Sequence, residues 1–410
     1  MSGQAISAAT PGIPTWRAAW IVVGLCLLFN VIDGLDAMAM AFTASRVAAQ
    51  WSLSAAQIGL LLSASLVGMA CGSLGAAPMA NRHGRRRVLL ASLMLSGMTM
   101  VLCFWSQGYC TLLCLRLLTG IGVGAVLVGA NVLTHDHAPP TRRSLAIALQ
   151  SVAFALGATL GGVLAHLLND GLGWRYVFLA GGGLTLLVGV AGVLWLRESA
   201  SQVALAAERP GQGYRGLFSH GRWASTCTLA CVCFLLMFGF YFVMNWTPML
   251  LTHSGFSARH GITGGMLLTV GGMFGALLLG LGAIRWGCNR LLCMCLLLNA
   301  VLMLLMVTAT RIPLLAIATG FTAGLLLYAA IAALFVLAPQ TFDSPERTRG
   351  VGLVLAAGRL GAIVSPTFAG VLLDAQWRPQ DLFTFYAGSQ LLAALLIWRR
   401  RRRRPRLEAG

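Results

Sequence analysis

Long apolar runs, broken by short polar segments, succeed one another from residue 17 to residue 398. A helix needs roughly 20 apolar residues to cross the hydrocarbon core of a bilayer. Twelve stretches are predicted to do so: 17–42, 57–79, 88–106, 109–134, 144–168, 174–196, 223–251, 262–284, 291–309, 312–338, 350–373 and 381–398. The pattern predicts an all-α membrane protein. The longest polar stretch runs from Arg197 to Arg222 and holds Glu198, Glu208, Arg209, Pro210 and Gly213. It divides the helices into an N-terminal six-helix bundle over 1–200, a cytoplasmic linker over 201–221 and a C-terminal six-helix bundle over 222–410.

A weak repeat supports that division. Thr119-Gly120 with Gly124 returns as Thr319-Gly320 with Gly324, and Ala138-Pro139 returns as Ala338-Pro339. Arg82 and Gly84 return as Arg285 and Gly287. Two like-oriented halves are the building plan of rocking transporters, with the substrate site between them near the midplane.

Composition agrees with the pattern: 58% of residues are apolar and 10% charged, against about 25% charged in soluble domains. The net charge of +18 would suit nucleic acid, but its distribution does not. All 29 basic residues are Arg, and 22 of them fall on one side of the predicted spans, 5 on the other and 2 inside helices. This asymmetry predicts an inner-membrane protein with both termini in the cytoplasm. The run Arg399 to Arg404 is expected to anchor the last helix at anionic lipid. No cleavable leader is expected, because the first 16 residues lack a basic start. The eleven cysteines sit mostly in apolar runs without metal-like pairing, so neither disulfides, metal nor cofactor is expected.

Four charges lie inside predicted spans: Asp33, Asp36, Arg116 and Arg359. A charge at the bilayer centre costs at least about 2.5 kcal/mol, so such residues mark function. Asp33 and Asp36 are three apart on one helix face, and Arg116 is expected at their depth. Two carboxylates with an Arg in reach can bind and release a proton. The alternative is a permanent Asp–Arg brace between spans 1 and 4. Arg359, about 14 Å into span 11, is expected either to anchor an anionic substrate or to lock onto a carbonyl or one of the two Asp residues. Asp136, between His135 and His137, reads as a proton relay, a metal site or an interfacial cap. Asn245-Trp246-Thr247-Pro248 lies toward the outer end of span 7, where Pro248 loosens the helix. Trp246 there reads as an interfacial belt residue or as a stacking wall for an aromatic substrate.

These residues resemble the major facilitator superfamily and, within it, the aromatic acid:proton symporters. Asp33-Gly34-Leu35-Asp36 is similar to that group's first-span signature. Asn81-Arg82-His83-Gly84-Arg85-Arg86 resembles the superfamily's loop between helices 2 and 3, with Asn81 where Asp is expected. Arg116-x-x-Thr119-Gly120-x-Gly122-x-Gly124 resembles the helix-4 signature, and Asp136 falls where the group tends to have Glu. Asn245-Trp246-x-Pro248, and Gly358-Arg359-Leu360-Gly361-Ala362 with Pro366, resemble the motifs of helices 7 and 11. The resemblance implies a gating role for Asn81, Arg82, Gly84, Arg85, Arg86 and Asp136, with a cytoplasmic gate that here lacks its usual charge. Helix 5 lacks the Gly-Pro of proton antiporters, which favours uptake over efflux.

The sequence thus points to a monomeric, proton-coupled importer of an organic acid anion, an aromatic carboxylate. Asp33, Asp36 and Arg116 would serve coupling, and Arg359, Asn245 and Trp246 would bind substrate. A proton-linked exporter of drugs or metabolites and a non-transporting membrane receptor are the rival readings. No phosphate loop, metal pair or catalytic triad suggests an enzyme.

Overall fold

The computed structural model describes residues 16–139, 143–169, 171–195, 223–253, 258–309, 313–342 and 347–407. Twelve helices, each long and apolar enough to cross a membrane, make up the described residues. The first six are α1 (Trp16–Trp51), α2 (Ala55–His83), α3 (Arg85–Leu102), α4 (Tyr109–His137), α5 (Arg143–Leu168) and α6 (Trp174–Trp195). The second six are α7 (Trp223–His253), α8 (Ala258–Trp286), α9 (Cys288–Ala309), α10 (Pro313–Leu337), α11 (Arg347–Asp374) and α12 (Pro379–Leu407). The expected linker, 201–221, lies outside the described residues.

An even number of spans brings the start of α1 and the end of α12 to one end of the bundle, called here the terminal end. The opposite end is the far end. Within the first half α1 packs on α5, α2 on α4 and α3 on α6; within the second, α7 packs on α11, α8 on α10 and α9 on α12. Leucines and valines of α6 and α9, such as Leu187, Val190, Leu298 and Val301, are exposed. In a bilayer that apolar surface faces lipid, which needs no polar covering.

The repeat seen in the sequence has a structural counterpart. Gly84 between α2 and α3 has φ 88°, and Gly287 between α8 and α9 has φ 74°. Both junctions turn a chain through a conformation that a side chain disfavours. Ala138 and Ala338 close α4 and α10 in the same way, each backbone N–H donating 2.9 Å to the carbonyl four residues back, Thr134 and Leu334.

Two helices run well past their predicted ends, and α12 reaches Leu407 rather than residue 398. α1 runs to Trp51 rather than ending near residue 42. Its last turns are held by the loop that leads into α6. The Trp174 indole donates 2.6 Å to the Gln50 side chain, and its ring meets Trp51 edge-on at 5.4 Å. The Asn169 amide donates 3.1 Å to the Phe42 carbonyl. The extension places Asp33 seventeen residues from one end of α1 and eighteen from the other, about 26 Å along a helix rising 1.5 Å per residue.

The two halves meet through α2 on α11, α5 on α8 and α1 on α7. The polar contacts of this seam concentrate toward the far end. Asp374, the last residue of α11, accepts from the backbone N–H groups of Ala55 and Ala56 at 2.8 and 2.9 Å. Those N–H groups open α2, where Ser54 and Gln57 form a reciprocal cap. A carboxylate there also meets the positive end of the helix dipole. Deeper, Ser63 donates 2.7 Å to the Ile363 carbonyl and accepts 2.8 Å from Thr367. Thr159 and Thr269 join α5 to α8 at 2.8 Å.

Candidate functional site

A cavity of about 480 Å³ lies between the halves. Its deep wall holds Asp33 of α1, Tyr241 of α7 and Arg359 of α11. Toward the terminal end it is lined by Asn131 near the end of α4, Phe335 of α10 and Leu355 of α11. The seam is thus bonded at the far end, and the cavity extends from mid-depth toward the terminal end.

The structure separates the two aspartates. Three residues of helix leave them about 4.5 Å apart in height and about 60° apart in direction. In a crowded bundle that suffices to aim them at different neighbours. Asp36 faces α4, where Arg116 Nη1 donates to Asp36 Oδ1 at 2.5 Å and Arg116 Nη2 approaches Oδ2 at 3.4 Å and the Asp36 carbonyl at 3.3 Å. The Phe178 ring sits 5.7 Å from the guanidinium. With Asp36 3% exposed and Arg116 1%, this is a dry, paired brace inside the first half. A buried pair of this kind is costly to break from one side, because the remaining charge has no water to turn to.

Asp33 faces the cavity instead. Its Oδ1 has no hydrogen-bond partner among the described residues. No ion pair joins it to Arg359, although each lies within reach of the other's field. Arg359 is half-buried and pairs with no acid among the described residues. Among the described residues the cavity therefore offers one carboxylate and one guanidinium, neither of them in an ion pair.

Gly34, next to Asp33, lets α1 cross α5 closely. A Cβ there would collide with the Phe154 carbonyl of α5, and one at Gly157 would strike the Val31 carbonyl. Small residues at a crossing allow backbones this close. The contact draws Phe154, which lines the cavity, up beside Asp33.

The remaining expected site residues lie apart from the cavity. Trp246 is 0% exposed, and its indole N–H donates 3.1 Å to the Pro366 carbonyl. It joins α7 to α11 within the second half. Asn245 is buried and donates 2.9 Å to the Tyr241 carbonyl one turn back. In this conformation neither lines the cavity. Arg82 and Arg85 are exposed at the turn made by Gly84, and Arg86 donates 2.7 Å to the Val193 carbonyl at the end of α6. The side chains of Asn81, His135 and Asp136 lie outside the described residues.

Residues 25–284 and 270–410 match the family model described as Major Facilitator Superfamily. The chain belongs to that superfamily. It is a multi-pass membrane transporter and not an enzyme. Among proteins of known role, it is 31% identical to the 3-(3-hydroxy-phenyl)propionate transporter of Escherichia coli K12, over 98% of this chain and 99% of that one. It is also 31% identical to the gallate transporter of Pseudomonas putida, over 92% of this chain and 91% of that one. The solved D-xylose-proton symporter superposes with a TM-score of 0.78 at 19% identity, covering 94% of this chain and 98% of that one. At that identity the likeness concerns the facilitator fold alone.

Tyr241, Phe154, Asn131 and Phe335 were not singled out in the sequence. Aromatic residues in an apolar helix look the same whether they fill a core or line a cavity. A tyrosine deep in a span, as at 241 and 328, was the available signal, since its hydroxyl needs a partner.

Proposed function

We propose that this facilitator couples protons to the uptake of an aromatic carboxylate, of the benzoate, hydroxybenzoate or phenylpropionate kind. The observation that carries the reading is the pair Asp33 and Arg359, facing one cavity with no mutual ion pair and with Phe154, Tyr241 and Phe335 around them. A carboxylate ligand supplies what the guanidinium lacks, and two parallel N–H···O bonds hold it in register. The aromatic walls fit a ring. Asp33 sits in the same low-dielectric space, so an arriving anion favours its protonated form. Proton and anion then enter together and leave together. The two relatives are transporters of a hydroxyphenylpropionate and of gallate, both aromatic carboxylates, which supports the same class.

The arginine asymmetry of the sequence supports a cytoplasmic terminal end. The cavity then faces inward, and the bonds of Asp374 and Ser63 close the outer side. Asn81, Arg82, Gly84, Arg85, Arg86 and Asp136 would form the inner gate that closes when the halves rock back. Asn245 and Trp246 would contribute through the bend of α7 at Pro248 rather than by touching substrate in this state. Asp36 and Arg116 hold α1 and α4 as one body, leaving Asp33 as the coupling carboxylate.

The test is uptake of labelled benzoate and 4-hydroxybenzoate into proteoliposomes. With the interior alkaline, accumulation above equilibrium should appear and collapse when a protonophore is added. Accumulation only with the gradient reversed would make the protein an exporter. Binding without movement under either gradient would leave the receptor reading.

A further inference from the structure

The far end of the seam is closed on two sides by different chemistry. Between α2 and α11 the contacts are polar, those of Asp374 and Ser63. Beside α5 and α8 they include an aromatic ring. Phe42 of α1 lies nine residues beyond Asp33, about 13 Å nearer the far end. It is buried. Its backbone is held by the first half. The Asn169 amide, just past α5, donates to the Phe42 carbonyl, and Trp174 fixes the turns of α1 that follow.

Its ring is lodged in the second half. A Cβ at Gly265 of α8 would strike the edge of the Phe42 ring and press on the Pro248 ring of α7. The Phe42 ring thus fills a notch that Gly265 leaves open and Pro248 walls. A Cβ at Gly162 of α5 would meet the same ring and the Met266 side chain of α8, so the ring sits where the two halves touch. The notch wall is stiff. Proline fixes its own backbone angle, the Pro248 carbonyl accepts 3.0 Å from the Thr252 hydroxyl, and α8 crosses close against that carbonyl at Gly261.

Transporters of this kind open alternately to their two sides as one half rocks against the other. Opening the far end carries α1 and α5 away from α7 and α8. A residue whose backbone moves with one half and whose ring is seated in the other must then leave its notch. We propose that Phe42 is an apolar plug of the far-end gate, seated against Gly265 and Pro248 while the cavity faces the terminal end and withdrawn when the halves rock. Pro248 then has a role of its own in the α7 motif, as the wall of the plug's seat. The inference needs only the rocking of the halves and is independent of the substrate.

The test is the distance between spin labels at Leu172→Cys and His260→Cys, one on each half at the far end, in the purified full-length protein with its eleven native cysteines replaced. With Phe42 and Gly265 intact, the short, closed distance should dominate. Phe42→Ala should raise the ratio of open to closed molecules about tenfold or more, because the ring's packing is lost from the closed state alone. Gly265→Ala adds one methyl group where the ring sits, disturbs the fold far less, and should shift the ratio the same way. The double variant Phe42→Ala/Gly265→Leu refills the notch from the other half and should bring the short distance back. Unchanged distances in Phe42→Ala or in Gly265→Ala, or a double variant as open as Phe42→Ala, would overturn the inference and leave the reading of the cavity untouched.

Discussion

Replacing Arg116 with alanine leaves the Asp36 carboxylate buried with no cation beside it. Asp36 is 3% exposed, and its charged contacts among the described residues are those to Arg116. Removing one partner of a buried pair costs about 3–5 kcal/mol. Spread over 410 residues at roughly 2.1 cal/mol/K each, that is a fall of about 4–6 °C in the melting midpoint. Asp36→Leu should cost a similar amount by stranding the guanidinium. The double variant Asp36→Leu/Arg116→Met removes both charges and keeps the volume, so it should recover most of the loss. Asp33→Asn should move the midpoint by less than about 1 °C, because Asp33 has no ion pair to lose. Detergent-solubilised protein, heated and followed by size-exclusion chromatography, gives all four midpoints. Additive losses in the double variant, or a fall in Asp33→Asn equal to that in Arg116→Ala, would contradict the division of the aspartates into brace and cavity residue.

Three further outcomes follow from the same geometry. Asp33→Asn should abolish uphill accumulation but keep exchange of labelled for unlabelled substrate, since exchange moves no net proton; full proton-driven accumulation would remove Asp33 from coupling. Asp374→Ala loses both bonds to the start of α2 and should shift the protein toward a state open at the far end. A cysteine placed at Ser63 in a cysteine-free background should then react several-fold faster with an impermeant thiol reagent added outside, and an unchanged rate would deny the latch. A reporter fused after Gly410 should read cytoplasmic, and a periplasmic reading would reverse the orientation drawn from the arginines.

The twelve spans were legible because run length alone separates a membrane helix from a connection, and the lipid core demands that length. The end of α1 was not. Thr43, Arg46 and Gln50 break the apolar run, and what keeps the helix going is tertiary. Trp174 and Asn169, more than a hundred positions away, supply the partners of its last turns. The four intramembrane charges were legible as a set, because each is costly where it sits. How they sort was not. Spacing of three puts Asp33 and Asp36 on one face, but the 60° between them is resolved only by the positions of α4 and α11. Trp246 carries a sequence signal for either the interface or a stacking wall, and the structure uses it to clamp Pro366. The aromatic lining of the cavity carries no local signal, since membership depends on which helices happen to part.

Arg359 is the residue proposed to hold the carboxylate of an aromatic acid. The decisive measurement is binding of an acid and of its neutral amide, 4-hydroxybenzoate and 4-hydroxybenzamide, to wild type and to Arg359→Ala. The acid should bind wild type far better than the amide, and the substitution should cost the acid about 2–5 kcal/mol while costing the amide little, because only the acid loses a charge-assisted pair. Arg359→Lys should fall between, lacking the planar fork. Equal losses for acid and amide would show that Arg359 does not hold the carboxylate, and the organic-anion reading would fall with it.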